Sequence, residues 1–317
     1  MAKSIDWEAQ IGRRLRLRDL HAFLTVARCG SMAKAAQQLG VSQPAISKVI
    51  ADLEHALDVR LFDRSRRGVE PTMFGDALLK RGLIAFDELK QSVKDIEFLV
   101  DPTSGQVRIE CPETISATLL PRIIERFSKQ YPRVVLHVDS ILTPIQGLPA
   151  LRDRKYDLLF GRLSMPLDDE LRGKDWNVET LYNDHLVVAA GMHNRWKRRR
   201  KIDLAELVGE PWILGASYTS NYARLAEAFR ARALEMPKSC LITLSLPLII
   251  HFLRNGPFIT AYPRTVTRLN SLAELPVDLP VQQPWPVAIV TLKNRTLSPV
   301  VERFITCARE VAKPFAT

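Results

Sequence analysis

The sequence predicts an α/β protein in three parts: a small, mainly helical head, one long helix, and a large domain in which strands alternate with helices. Three short amphipathic helices in a row are implied between Leu20 and Leu57, where apolar residues recur at three- and four-residue steps. The same spacing then runs through Leu79, Leu83, Phe86, Leu89, Val93, Ile96 and Val100 without a break. Beyond Gly105, short apolar runs such as Val107–Cys111 and Leu158–Phe160 alternate with helical periodicities, as in an open parallel sheet. A chain of 317 residues is too long for one small core and suits two or three domains.

Each element of the head has a local reason. Ser31 is placed to cap the second helix, whose Ala33, Ala35 and Ala36 with Leu39 allow close packing; Gly40 then supplies a tight exit and Val41 buries the turn. Ser42 caps the third helix, and Pro44 falls in its first turn, where a missing N–H costs nothing. Ile46, Val49, Ile50, Leu53 and Leu57 aim one face at a core, which leaves Gln43, Ala45, Ser47 and Lys48 outward. A helix-turn-helix presents its recognition helix to base edges in the major groove in this way. The basic, hairpin-like segment Asp63–Val69 follows where a winged helix-turn-helix carries its wing. The residues expected against DNA are Ser31, Lys34, Ser42, Gln43, Pro44, Ala45, Ser47 and Lys48 on the helices, with Arg64, Ser65, Arg66 and Arg67 on the wing. The competing interpretation is a three-helix bundle with no DNA role, which leaves the basic hairpin unexplained.

Thr72 is a good cap for the long helix, which stops at Asp101-Pro102. A lone helix of that length cannot hide its apolar stripe, so it packs either on a second copy or on its own chain. After the hinge Thr103-Ser104-Gly105, strands are expected at 107–111, 134–138 and 156–161 and helices at about 117–131 and 148–153. The pattern restarts near Leu181. Strands at 186–190, 212–215, 241–244, 258–263 and 287–292 and helices at about 222–234, 246–254 and 299–312 complete it.

Composition narrows the function classes. The net charge of +10 suits a polyanionic partner, but the excess is not confined to the head. Much of the remainder sits in Arg195–Lys201, either a solvated loop or a secondary phosphate or nucleic-acid contact. The amino-terminal residues have no apolar signal core, so a cytoplasmic protein is expected, and the longest apolar run, Leu241–Ile250, is too short for a bilayer. Cys29, Cys111, Cys240 and Cys307 form no CxxC set and are expected to be small buried hydrophobes, with a redox pair as the alternative. The histidines lack metal-ligand spacing, so neither metal nor cofactor is expected. GxG, GxxxxGK[ST] and GxSxG are all absent, and no enzyme is expected.

The run from Phe23 to Gly75 closely resembles the LysR-type transcriptional regulators, above all in Ala35-Ala36-Gln37-Gln38-Leu39, Ser42–Ser47, Leu53-Glu54 and Leu61–Arg64. The resemblance covers nearly the whole chain and is most specific in its first hundred residues. It implies a winged helix-turn-helix domain at 1–72, a dimerising linker helix at 73–102 and an effector-binding domain at 103–317. That last domain is expected to look like a periplasmic solute-binding protein, with lobe I at about 103–181 and 285–317 and lobe II at about 182–284. The implied partners are a dyad-symmetric double-stranded DNA operator, a small-molecule effector, RNA polymerase, and further copies of the chain in a homodimer or homotetramer. A narrower similarity of Asp157–Leu163 and Pro211–Leu214 to regulators of sugar-binding-protein and aromatic-acid catabolism genes leaves a sugar and an organic or aromatic acid both open. Two other classes compete: an enzyme or solute-binding protein with a DNA-binding-like head, and an architectural DNA protein that needs no effector.

Ligands of open α/β sheets gather outside the carboxyl ends of the strands. Glu113, Thr114 and Ser116 follow the first such strand, where the two hydroxyls either cap a helix or meet a ligand. Arg162 ends another strand. Its guanidinium either anchors a carboxylate or phosphate or pairs with Glu113 or a neighbouring Asp. From the second lobe, Ser217, Tyr218 and Thr219 lie on a polar loop, and Ser245 is expected to cap the helix that follows it.

Overall fold

The structure is a computed structural model and describes residues 15–65, 68–164, 167–280 and 285–315. The chain divides into two compact units, one through Val93 and one from Lys94 onward.

In the first unit, α1 (Leu17–Cys29), α2 (Met32–Leu39) and α3 (Gln43–Leu57) surround a core of Phe23, Val26, Ala35, Ile50 and Leu53. Gly30 and Gly40 end α1 and α2 at φ values of 60° and 66°, a left-handed geometry that glycine adopts without steric cost. Val41 does not bury the turn after α2, being 47% exposed. Its backbone N–H does that work instead, donating to Ala36 O at 3.0 Å. Strands β1 (Phe62–Ser65) and β2 (Gly68–Pro71) form an antiparallel hairpin in the position expected of a wing. Glu54 of α3 fixes its root, because one carboxylate oxygen accepts from the backbone N–H groups of Leu61 at 2.7 Å and Phe62 at 3.2 Å.

Helix α4 (Met73–Val100) begins where the Thr72 hydroxyl accepts from Gly75 N at 3.2 Å. Gly75 is required there, since a Cβ would lie 2.1 Å from Leu61 O. The apolar stripe of α4 is divided. Leu79, Leu83 and Phe86 pack on the head's own core, whereas Leu89, Val93, Ile96, Leu99 and Val100 are exposed.

The second unit holds two mixed sheets rather than the expected parallel one. The first contains β3 (Ser104–Pro112), β4 (Arg133–Ile141), β5 (Leu158–Arg162), β6 (Trp176–Asp184) and β12 (Trp285–Leu292), in the order β4-β3-β5-β12-β6. Strands β3, β4 and β5 run parallel, and β12 runs antiparallel to both β5 and β6. Strand β6 escaped the sequence pattern because Asn177, Glu179, Thr180 and Asn183 dilute its apolar residues. The expected helix at 117–131 is present as α6 (Leu119–Gln130), and a separate single turn, α5 (Glu113–Ser116), precedes it. Helix α7 (Pro144–Arg152) connects β4 to β5, and α11 (Pro299–Ala312) closes the lobe, its Phe304 sharing a core with Val107, Ile109, Phe127 and Phe160. At the start of β5, buried Asp157 accepts from Arg108 N at 2.9 Å and pairs with Arg295 at 3.1 Å and with Lys94 of α4 at 3.7 Å.

The second sheet takes β7 (Leu186–Ala190), β8 (Trp212–Leu214), β9 (Ser239–Ile242), β10 (Ile259–Pro263) and β11 (Ala273–Glu274), in the order β11-β7-β10-β8-β9. Helices α8 (Ser220–Ala231), α9 (Leu246–Asn255) and α10 (Arg264–Leu269) flank it, and Trp212, Phe229 and Ile259 lie in its core. The chain leaves the first sheet after Asp184 and re-enters it at Trp285, so the first lobe is discontinuous.

Candidate functional site

The head presents a compact polar surface made almost entirely by one helix turn. Ser42 Oγ accepts from Ala45 N at 3.4 Å and Ser31 Oγ from Lys34 N at 3.4 Å, so both hydroxyls serve as helix caps. Gln43, Pro44, Ala45 and Lys48 are exposed along the start of α3, Ser47 is half-buried, and Lys34 is exposed on α2. Arg64 and Ser65 are exposed on β1; Arg66 and Arg67 lie outside the described residues. A helix start with short polar side chains beside a basic hairpin has the form that reads base edges while holding phosphates.

The second polar site lies between the two sheets, in a cleft of roughly 130 Å³ lined by strand ends from both. Arg162 at the end of β5 is 8% exposed and already partnered. Its Nη2 and Nε donate to Asp184 Oδ2 at 3.0 and 3.4 Å, and Nη1 donates to Thr114 Oγ1 at 2.6 Å. Asp184 also accepts from His185 N at 2.9 Å, from Thr265 N at 3.2 Å and from the Thr265 hydroxyl. The expected alternative of a salt bridge to a neighbouring Asp is the arrangement present.

Glu113 reaches the opposite wall. Its Oε2 accepts from Leu246 N at 3.3 Å, at the start of α9. Ser245 holds the N-cap position there but makes no side-chain cap bond, so the carboxylate of the other lobe meets the orphan donor and the positive end of the helix. Trp285 is 1% exposed, and its indole N–H has no hydrogen-bond partner among the described residues. The guanidinium carbons of Arg224 and Arg162 lie 4.9 and 5.8 Å from its ring centroid. Burial, reinforced by the charge of Glu113 and opposed by Arg162, pushes the Tyr262 hydroxyl up to about 12. It therefore stays a neutral donor at physiological pH.

Comparison with known proteins places both sites in one family. The family model described as "LysR substrate binding domain" matches residues 101–313, and the one described as "Bacterial regulatory helix-turn-helix protein, lysR family" matches residues 17–76. This chain belongs to the LysR family of transcriptional regulators. It is 28% identical over 297 residues to the HTH-type transcriptional regulator TdcA of Escherichia coli, covering 92% of this chain and 91% of TdcA. It is 26% identical to GbpR of Azospirillum brasilense, over 90% of this chain and 83% of GbpR. Among solved structures, a full-length cysteine variant of OxyR from Pseudomonas aeruginosa superposes with a TM-score of 0.64 at 19% identity, covering 94% of this chain and 95% of that one. Full-length CbnR in complex with its target DNA gives a TM-score of 0.52 at 22% identity, covering 94% of this chain and all of that one. These two likenesses establish the fold.

Within this LysR regulator, the cleft takes only part of the expected set. Glu113, Thr114, Arg162, Tyr218 and Thr219 line it. Ser116, Ser217 and Ser245 do not. The Ser116 hydroxyl donates to Glu113 O at 3.0 Å within its own turn, Ser217 faces solvent, and Ser245 marks a helix start without reaching the lining. Thr219 Oγ1 caps α8, accepting from Tyr222 N at 3.4 Å and donating to Ala216 O at 2.7 Å. Sequence reasoning missed Thr143, Thr243, Tyr262 and Trp285. Tyr262 and Trp285 sit at strand ends, and strand-end aromatics were the signal available for them. The thiol expectation also changes: only Cys111 is buried, its pKa raised by burial to about 12, while Cys29 and Cys307 are half-buried and Cys240 is exposed; all four are free. No group of metal-ligating side chains, and no helix long and apolar enough to cross a membrane, occurs among the described residues.

Proposed function

We propose that this LysR regulator binds a dyad-symmetric operator as a dimer or a dimer of dimers. In this reading it changes transcription when a neutral, hydroxyl-bearing small molecule, a sugar being the simplest case, occupies the cleft. Gln43, Ser47 and Lys48 read the major groove, Arg64 holds phosphate, and the exposed half of α4 joins the subunits. The protein acts in the cytoplasm with RNA polymerase as a partner, and it carries out no chemistry on the effector.

The observation behind the effector class is charge compensation. Arg162 is spent on Asp184, and Glu113 covers the amino end of α9, so an acidic ligand finds no unpaired cation among the described lining residues and meets a carboxylate. A neutral polyol can instead use the Trp285 indole N–H and the Tyr262 hydroxyl, with an aromatic face for its apolar side. A ligand touching both lobes has different affinities for different lobe angles, and only such a difference can shift the protein between states.

Calorimetric titration of the full chain with neutral sugars and with aliphatic and aromatic acids tests this. Sugar binding that survives Arg162→Lys and weakens in Trp285→Phe is the expected result. Tight binding of an acid that is lost in Arg162→Lys would restore Arg162 as the anchor and reject the neutral ligand.

A further inference from the structure

Residues Arg195–Lys201 carry six cations in seven positions, in the lobe that also contains β7 to β11. Two of the six are paired: Arg195 with Glu210, and Arg199 with Glu206 at 3.1 Å. The guanidinium carbons of these same two arginines lie 5.3 and 5.8 Å from the Trp196 ring centroid, which fixes them to the surface. Lys197, Arg198, Arg200 and Lys201 are exposed and make no ion pair with another described residue.

The base under these four cations is ordered. Asn194 caps the 3₁₀ turn Arg195–Arg198, its Oδ1 accepting from Trp196 N at 3.0 Å and its amide donating to Pro257 O at 3.1 Å. Past the run, Ile202 is 2% exposed and bonded to Pro276 O at 3.1 Å, and Asp203 and Glu206 form a capping box. A solvated surface normally intersperses the two signs of charge. Here the nearby acids hold the arginines that grip Trp196, and four cations within five positions are left to solvent on a loop anchored at both ends by hydrogen bonds.

We infer that this loop is a second DNA-binding surface, taking backbone phosphates without regard to sequence. Duplex DNA is the favoured occupant because the protein already binds that polyanion through its head, and because charge dominates the loop, whose apolar exposure is confined to Met192 and part of Trp196, too little for the anchor a protein partner needs. The surface would add affinity and salt dependence but no base preference.

The test uses full-length protein and duplex DNA of random sequence, with affinity measured across a salt series. The head is disabled by Lys48→Glu with Arg64→Glu, and the loop is neutralised by changing Lys197, Arg198, Arg200 and Lys201 together to Gln. The head-disabled protein is expected to retain salt-dependent binding. Adding the loop changes should cut that binding at least about tenfold and flatten the log–log salt slope by about 2 to 3, since each phosphate contact contributes close to 0.9. A charge-preserving set, Lys197→Arg, Arg198→Lys, Arg200→Lys and Lys201→Arg, should bind as the parent does, which separates charge from any effect on folding. Unchanged affinity and slope in the Gln set, with the head intact and with it disabled, would overturn the inference. Unchanged DNA binding with loss of transcription would overturn it too, and would give the loop an acidic protein partner. Failure of the head substitutions alone to weaken binding would count against the head assignment and not against the loop.

Discussion

The head and the cleft solve the same problem, presenting polar groups to a partner, by opposite routes. In the head, the surface from Gln43 to Lys48 is the outward side at the start of one amphipathic helix, and the neighbouring Ser42 and Ser31 hydroxyls are consumed by capping. In the cleft, the wall is assembled from separate strand ends, and its charges are compensated by residues distant in the chain: Arg162 by Asp184, and the start of α9 by Glu113. A contiguous site shows its chemistry in its residue types. A convergent site shows it only once the partners of each group are known.

The largest expected effect tests that contrast at the buried pair. Asp184→Ala leaves a guanidinium almost without water or counter-charge, and removal of one partner of such a pair costs about 3–5 kcal/mol. Chemical denaturation should show this loss in the second unit while the unfolding of the head is unchanged. Equal loss of stability in both units would dissolve the distinction.

The two halves of α4 sharpen it next. Leu83 belongs to the head core, so Leu83→Asp is expected to destabilise the head by roughly 2–4 kcal/mol whatever the assembly. Ile96 is 61% exposed, so Ile96→Asp should leave stability near wild type and shift sedimentation towards smaller species. An unchanged assembly in Ile96→Asp would exclude this segment as the subunit contact.

On the DNA surface, Gln43→Ala should reduce discrimination between operator variants by about 1–3 kcal/mol without altering the salt slope. Arg64→Ala should weaken binding to all sequences and lower that slope by about 1. Binding measured on a set of single-base operator variants at several salt concentrations distinguishes the two effects.

The smallest effect concerns Glu110, which faces the register partner Asp139 across β3 and β4 and has one buried oxygen without a partner. Burial, and then the charge of Asp139, raise its pKa above the usual carboxylate value. With the folded pKa above the unfolded one, the native state takes up a proton, so stability falls as pH rises from the ordinary carboxylate range through the raised value. Glu110→Gln removes this fall. It should stabilise the second unit at neutral pH by about 0.5–1.5 kcal/mol, the net worth of one buried hydrogen bond, and the gain should vanish on acidification. Urea denaturation at neutral and mildly acidic pH measures both limbs.

The sequence by itself determined the head and the order of nearly all helices, because each follows from short-range periodicity, caps and glycines; the two lobes were expected from the family resemblance. Helix α11 was read with the bounds it has, since Pro299 opens it and its apolar spacing is regular. It also placed Glu113, Thr114 and Arg162 at strand ends facing a cleft. Tertiary structure alone decided what those groups do there. It turned β12 antiparallel, covered half of the α4 stripe with the head, and moved the burden of capping α9 from Ser245 to Glu113. Most consequentially, it set Asp184 against Arg162 and withdrew the one cation that sequence order had offered to an acidic ligand. The physical reason is the range of the interactions: hydrogen-bond caps and amphipathic spacing act within a few residues, whereas charge compensation in a buried site depends on which distant segments the fold brings within about 3 Å.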